Sequence, residues 1–299
     1  MSIAGHDEHE LAWWSTFLER CWPNSGQWVP FCGGDLTMKM PDRPGSISES
    51  STAYSTPVDG PLVPPFPVGY RNAWVLTLCY RTDPGAIARL IPPPLMPLGS
   101  TVMIHIYQMN DTDYLGVYNE CNVMVGCRLS GDGADHVGGY SPWLFLDSDA
   151  GLALGREVHG QAKKLAYPKI ETRGDLIVGT VDRNGITVVT GTLAYKQNRA
   201  DIGELAKYFD FTENVNLKVI PSIDGTPAIH QLTSRRLSNV KMHECWRGDC
   251  SVELRPNVQA PVWRLPVVEP LAGYYWNADF TLVPGRILYD YLAAPETRA

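Results

Sequence analysis

The chain has 299 residues, of which 44% are hydrophobic and 19% charged. That balance excludes a disordered chain and provides for a sizeable core. A formal charge of −7 and the absence of long Lys/Arg runs argue against a nucleic-acid or anionic-membrane partner.

In chain order, Leu11, Trp14, Leu18 and Cys21 fall at helical spacing and predict a helix over 6–21, stopped by Pro23. Residues 33–67 hold seven prolines and a Ser/Thr-rich stretch over 46–56, which reads as a linker or an extended arm. Trp13, Trp14, Trp22 and Trp28 favour an arm that docks, because such surface is costly to leave in water. From Trp74 onward, β-branched and aromatic runs bounded by turn residues predict strands over 74–80, 101–109, 116–126 and 141–146. The same pattern continues over 176–182, 186–195, 229–241, 262–271 and 277–283. Short helices are predicted over 83–91, with Asp83 as N-cap and Pro92-Pro93-Pro94 as stop, within 147–159, and over 202–208. The expected fold is mainly β (α+β): an antiparallel barrel or sandwich with a few short helices.

The seven cysteines are odd in number and dispersed, unlike a disulfide framework. His6-Asp7-Glu8-His9-Glu10 stands where a secretory leader would need a basic start and an apolar stretch, and no run approaches 18 apolar residues. These features predict a soluble, cytoplasmic protein. The same acidic cluster, and the group His243, Cys245 and Cys250, lack the ligand pattern of a zinc site, so no metal is expected. Walker, dinucleotide-binding and Gly-x-Ser-x-Gly motifs are absent from the sequence.

The informative stretch is Gly155-Arg156-Glu157-Val158-His159-Gly160-Gln161-Ala162-Lys163-Lys164-Leu165-Ala166, which follows the apolar strand end Leu144-Phe145-Leu146. Two lysines alone usually mark a solvated turn. Here they stand among colinear landmarks: Tyr80-Arg81-Thr82-Asp83, Leu115-Gly116-Val117-Tyr118-Asn119-Glu120, Ile220-Pro221-Ser222-Ile223-Asp224-Gly225 and Leu288-Tyr289-Asp290-Tyr291-Leu292. With these the sequence resembles the acetoacetate decarboxylase family from near Pro65 to Leu292. The resemblance divides the chain into an N-terminal extension, 1–64, and a barrel domain, 65–299.

That resemblance implies a β-rich cone or barrel with a lysine in its interior. Lys163 matches the lysine that forms a Schiff base with a ketone, Lys164 its neighbour, and Glu120 the active-site glutamate. No cofactor is implied. The expected partner is a small keto acid or other carbonyl compound, and the expected assembly a homo-oligomer. A free lysine is almost wholly protonated at pH 7; lowering its pKa by about three units raises the neutral amine roughly several hundredfold to a thousandfold. Adjacent strand residues point to opposite faces, so Lys164 is expected to turn away and burial to act more strongly than its charge. Trp143, Phe145 and Leu165 are the expected apolar walls.

Three departures from the family pattern bear on the substrate. The family's active-site arginine aligns with Ala73, and Arg71, two residues earlier, is the expected substitute on the same strand face. A second family glutamate aligns with His105, a residue type that titrates near neutrality. The Tyr-Pro before the lysines becomes Gln161-Ala162. The expected function is therefore cofactor-free decarboxylation of a β-keto acid through an imine on Lys163, with Arg71, His105, Gln161 and Trp143 around the substrate. The alternatives are an aldolase, dehydratase or hydrolase-type member acting on a bulkier carbonyl compound in secondary metabolism, or a binding protein without turnover.

Overall fold

A computed structural model describes residues 55–57, 60–130 and 136–293. The helix expected over 6–21 and most of the proposed arm lie outside the described residues.

Fifteen strands are found among the described residues. They are β1 (Val68–Arg81), β2 (Met96–Met109), β3 (Asp111–Thr112), β4 (Tyr118–Leu129) and β5 (His136–Leu146). After them come β6 (Lys163–Leu165), β7 (Tyr167–Arg173), β8 (Leu176–Arg183), β9 (Ile186–Ala194) and β10 (Asn198–Arg199). The last five are β11 (Glu213–Pro221), β12 (Pro227–Gly248), β13 (Cys250–Leu254), β14 (Glu269–Leu282) and β15 (Arg286–Asp290). Three short helices join them: α1 (Pro84–Leu90), α2 (Asp149–Ala153) and α3 (Ile202–Ala206). Helix α1 starts as its sequence dictates, because the Asp83 carboxylate accepts from the Gly85 N–H and Pro84 fills a position that needs no donor.

The large sheet runs β11-β5-β4-β2-β1-β14, and the 22-residue β12 joins its two ends. One half of β12 pairs with β11 and the other half with β14, so the ladders return on themselves in a ring. A second antiparallel sheet, β13-β9-β8-β7, lies against the outside of this ring. Strand alternation gives the ring two apolar faces. Leu76, Leu78, Ile104, Ile106, Cys121 and Val123 pack outward with Ile177, Val181 and Val189 of the second sheet. Val75, Cys79, Met103, Met124, Trp276 and Phe280 pack inward. The mainly β architecture expected from the sequence is thus present.

The elements differ from expectation in two ways. The run 262–271 is not one strand: Pro261–Arg264 forms a 3-10 turn and β14 begins only at Glu269. Strands β7, β11, β13 and β15 were not expected; β7 and β15 lack apolar alternation, whereas β11 (Val215, Leu217, Val219) and β13 (Cys250, Val252, Leu254) carry it. No described helix is long and apolar enough to cross a membrane.

Candidate active site

Lys163 is delivered to the ring interior by a short detour of the chain. After β5, Ser148 caps α2 by accepting from the Gly151 N–H, and the chain passes into a π-helical turn, Leu154–His159. Gly160 ends that turn with φ 74°, where a Cβ would stand 2.3 Å from the Lys218 Cβ, so glycine answers both the conformation and the close approach. The chain then runs back as β6, parallel to β5, with Lys163 opposite Leu144 and Lys164 opposite Phe145.

The Gly155-Arg156 motif now has a physical meaning. A Cβ on Gly155 would lie 2.3 Å from Lys163 Cδ and 2.7 Å from Gln161 Oε1; the missing side chain is the channel for the lysine stem. Arg156 Nη1 donates to the Lys163 carbonyl at 3.1 Å and pins the strand from outside. Between the neighbouring strands β5 and β4, Asp147 accepts from the Asn119 backbone N–H at 2.7 Å and from its side-chain amide at 2.9 Å. That clasp holds the start of β4, and with it Glu120, beside the end of β5.

Lys163 and Glu120 meet in the interior. Nζ lies 2.8 Å from Glu120 Oε2, with side chains 5% and 7% exposed, and donates to the Gly151 carbonyl at 3.0 Å. Burial lowers the Lys163 pKa from its ordinary value; Glu120 opposes that shift, and the Arg235 cation adds to it. Burial dominates, so the net direction is downward, towards the neutral amine a nucleophile needs. The pair opens on a cavity of about 30 Å3. Tyr70, Tyr107, Tyr118, Leu154 and Phe280 are among its walls, together with Gln161 and Arg235. Burial pushes the Tyr70, Tyr107 and Tyr118 phenols well above their ordinary value, so these rings are neutral hydroxyl-bearing walls. A larger concavity of about 550 Å3, lined by His159, Lys218 and Arg286, includes neither Lys163 nor Glu120.

The sequence-predicted residues separate into two groups. Lys163, Glu120 and Gln161 are brought together at the cavity. Lys164 points outward, where its Nζ donates to the backbone carbonyl and side-chain Oε1 of Gln259, both at 3.0 Å. The expected walls Trp143 and Phe145 belong to the outer face and Leu165 is exposed; the actual walls come from β1, β2, β4, β12 and β14.

Arg71 is not at the cavity, and a β-bulge explains why. The β1–β14 register shifts between Tyr70 and Ala73, with Asn72 at φ 51°. The added residue places Tyr70 and Ala73 on one face and turns Arg71 to the surface, where it pairs with Asp111 and Asp113, both at 2.7 Å. His105 does face inward but lies deeper than the cavity. Its Nδ1 is 2.9 Å from Thr77 Oγ1, which also accepts from Trp276 Nε1 at 2.9 Å. Burial holds the His105 pKa at about 3, so the ring is neutral at pH 7 rather than titrating there.

Arg235 was not singled out by the sequence. It sits in β12 between Thr233 and Leu237, and Leu237 shares the cavity wall with it. Alternation within the strand predicted over 229–241 was the available signal.

The sequence model of the family described as Acetoacetate decarboxylase (ADC) matches residues 51–292. The chain belongs to the acetoacetate decarboxylase family. Acetoacetate decarboxylase 1 of Bradyrhizobium diazoefficiens is 35% identical over 242 residues, 81% of this chain and 95% of that protein. The acetoacetate decarboxylase of Clostridium botulinum is 34% identical over 247 residues, 82% and 98% of the two chains. The crystal structure of acetoacetate decarboxylase from Legionella pneumophila is similar with a TM-score of 0.74 at 29% identity, covering 86% of this chain and all of that one. The enduracididine biosynthesis enzyme MppR, complexed with pyruvate, has a TM-score of 0.66 at 18% identity, a likeness of fold alone. By family, the chain is an acetoacetate decarboxylase-like enzyme of the carboxy-lyase class.

Proposed function

We propose that the protein decarboxylates a small β-keto acid through an imine on Lys163, without a bound cofactor. The observation that carries this reading is a buried lysine whose ammonium form is disfavoured, 2.8 Å from a carboxylate, at a small cavity. The neutral Nζ attacks the ketone carbon, and loss of water leaves a protonated imine. The bond between the α-carbon and the carboxylate then breaks, its electron pair moving to the iminium nitrogen. Carbon dioxide departs and an enamine remains. Protonation at the α-carbon and hydrolysis return the ketone and the free amine. Glu120 is within reach of the atoms that exchange protons at Nζ. Gln161, which replaces the family tyrosine, donates from Nε2 to Asn214 Oδ1 at 3.2 Å and directs its amide along the cavity wall.

A soluble, cytoplasmic homo-oligomer accompanies this reading. The deciding experiment is borohydride reduction in the presence of acetoacetate, with peptide mass mapping and measurement of carbon dioxide release. An adduct on Lys163, absent in Lys163→Ala, together with carbon dioxide release is the expected result. An adduct without carbon dioxide release points to aldol-type chemistry, and no adduct on folded protein overturns the reading.

A further inference from the structure

We propose that Arg235 is the group that receives the substrate carboxylate in this site. The inference rests on the imine reading and deepens it. A buried cation is costly unless an anion or a set of acceptors answers it. Arg235 Nε is buried without a hydrogen-bond partner, and no carboxylate forms an ion pair with this side chain among the described residues. The next residue shows the contrast: Arg236 Nε is 2.9 Å from Glu213 Oε2 and its Nη2 is 2.5 Å from Asp210 Oδ2.

The remaining charges at the cavity sharpen the assignment. Glu120 is its one lining carboxylate and already holds Lys163 at 2.8 Å. The other walls are apolar or neutral, so Arg235 lines a space whose one carboxylate is already engaged by Lys163. A guanidinium fork suits a carboxylate in geometry as well as charge. The backbone beneath it is fixed. Arg235 is in register with Asn214 of β11, whose side-chain amide donates to the Gly139 carbonyl at 3.2 Å and to Ser141 Oγ at 2.6 Å. Meanwhile Ala73, fully buried on the inner face of β1, contributes no charge. The cation comes into the ring from β12 instead.

The kinetic role follows from charge. Loss of carbon dioxide discharges the carboxylate, so a guanidinium on that group stabilises the bound ground state at least as well as the transition state. Such an interaction sets KM and leaves kcat nearly unchanged.

The test compares Arg235→Gln and Arg235→Lys with the wild type on two compounds: acetoacetate, and acetylacetone, a diketone without a carboxylate. In Arg235→Gln the KM for acetoacetate is expected to rise about 10- to 100-fold, as for loss of a charge-assisted hydrogen bond, with kcat within a few-fold. Arg235→Lys recovers part of the KM. Because the Arg235 cation also helps to lower the Lys163 pKa, the two compounds are compared on the pH plateau where Lys163 is neutral; there the loss in acetylacetone enamine formation is much smaller than the rise in the acetoacetate KM, which a general disruption of the site would not allow. In the wild type, acetate slows that enamine formation at least tenfold more effectively than acetamide of similar size, a readout independent of how the variants fold. An unchanged KM in Arg235→Gln, an equal loss for both compounds, or equal competition by acetate and acetamide overturns the role of Arg235 while leaving the imine intact. Failure of the wild type to form an adduct with either compound overturns the imine reading, and the Arg235 assignment with it.

Discussion

The two faces of the ring are built by the same strands and do different work. On the outer face, β1 presents Leu76, Leu78 and Tyr80 to the four-stranded sheet, and β4 presents Cys121, Val123 and Val125. On the inner face the same two strands present Thr77 to His105 and Glu120 to Lys163. Outer contacts are apolar and stabilise the fold through buried area; the inner face adds to its own apolar packing a few polar groups held in a crowded space where a charge is expensive. Lys163 and Lys164 condense the difference into two residues. One step along β6 moves an ammonium from enclosure to solvent.

The comparison can be broken most decisively at Lys163. Lys163→Ala is expected to lose the trapped adduct and carbon dioxide release completely, read by mass mapping; a residual adduct at another lysine would end the special status of the inner face. Next in size is Glu120→Gln, expected to lower kcat by about 10²–10⁴-fold as a proton-transfer group is removed. It also carries a pH signature. Burial lowers the Lys163 pKa while Glu120 favours the ammonium, so wild-type trapping should rise with pH through a value below the ordinary 10.5. Without the Glu120 anion that limb moves to lower pH. Between the lowered native value and 10.5 the unfolded chain holds the extra proton, so stability rises with pH across that window. A limb at or above 10.5 in the wild type would refute the effect of burial.

The outer face is probed by Leu78→Ala, which should cost about 2–5 kcal/mol in chemical denaturation through the cavity it leaves. Its KM should stay unchanged, since Leu78 does not line the site. A KM shift as large as that of an inner-face variant would show that the two faces are not separable. The smallest effect is expected for Lys164→Ala: within about 0.5 kcal/mol in stability, because its ammonium donates to neutral Gln259 at the surface. Its adduct on Lys163 should persist, and loss of that adduct would contradict the outward placement.

Legibility in the sequence followed the same division. Strands β1, β2, β4, β8 and β9 were readable because both or alternate faces are apolar. Strand β11, Glu213–Pro221, alternates Val215, Leu217 and Val219 with polar residues, but its polar Glu213, Asn214 and Asn216 are buried, which the pattern does not announce. Strand β7 was hidden by the charges of Lys169, Glu171 and Arg173. At the site, a one-residue alternation placed Lys163 and Lys164 correctly on opposite faces. The same alternation failed for Arg71, because the bulge at Asn72 adds a residue that no local pattern announces. Arg235 was overlooked because Arg235-Arg236 looks like a solvated pair, as Lys163-Lys164 does without its neighbours.

The ring of ladders has one thin seam. β1 and β14 run antiparallel along most of their length, whereas β5 and β11 are parallel and share only two register pairs, Asn214 with Gly139 and Val215 with Tyr140. Much of the stitching there falls to the Asn214 amide and to Gln161 beside it. A wall fastened by so few backbone bonds opens locally at a lower free energy than its antiparallel neighbours. Whichever of the Asn214 and Val215 amides is bonded to β5 rather than to β12 is therefore expected to exchange with solvent ahead of those in β1 and β14. The strand next to the seam on the same edge of β5 is β6, so a local opening of the seam would take place beside Lys163 and the enclosure that tunes it.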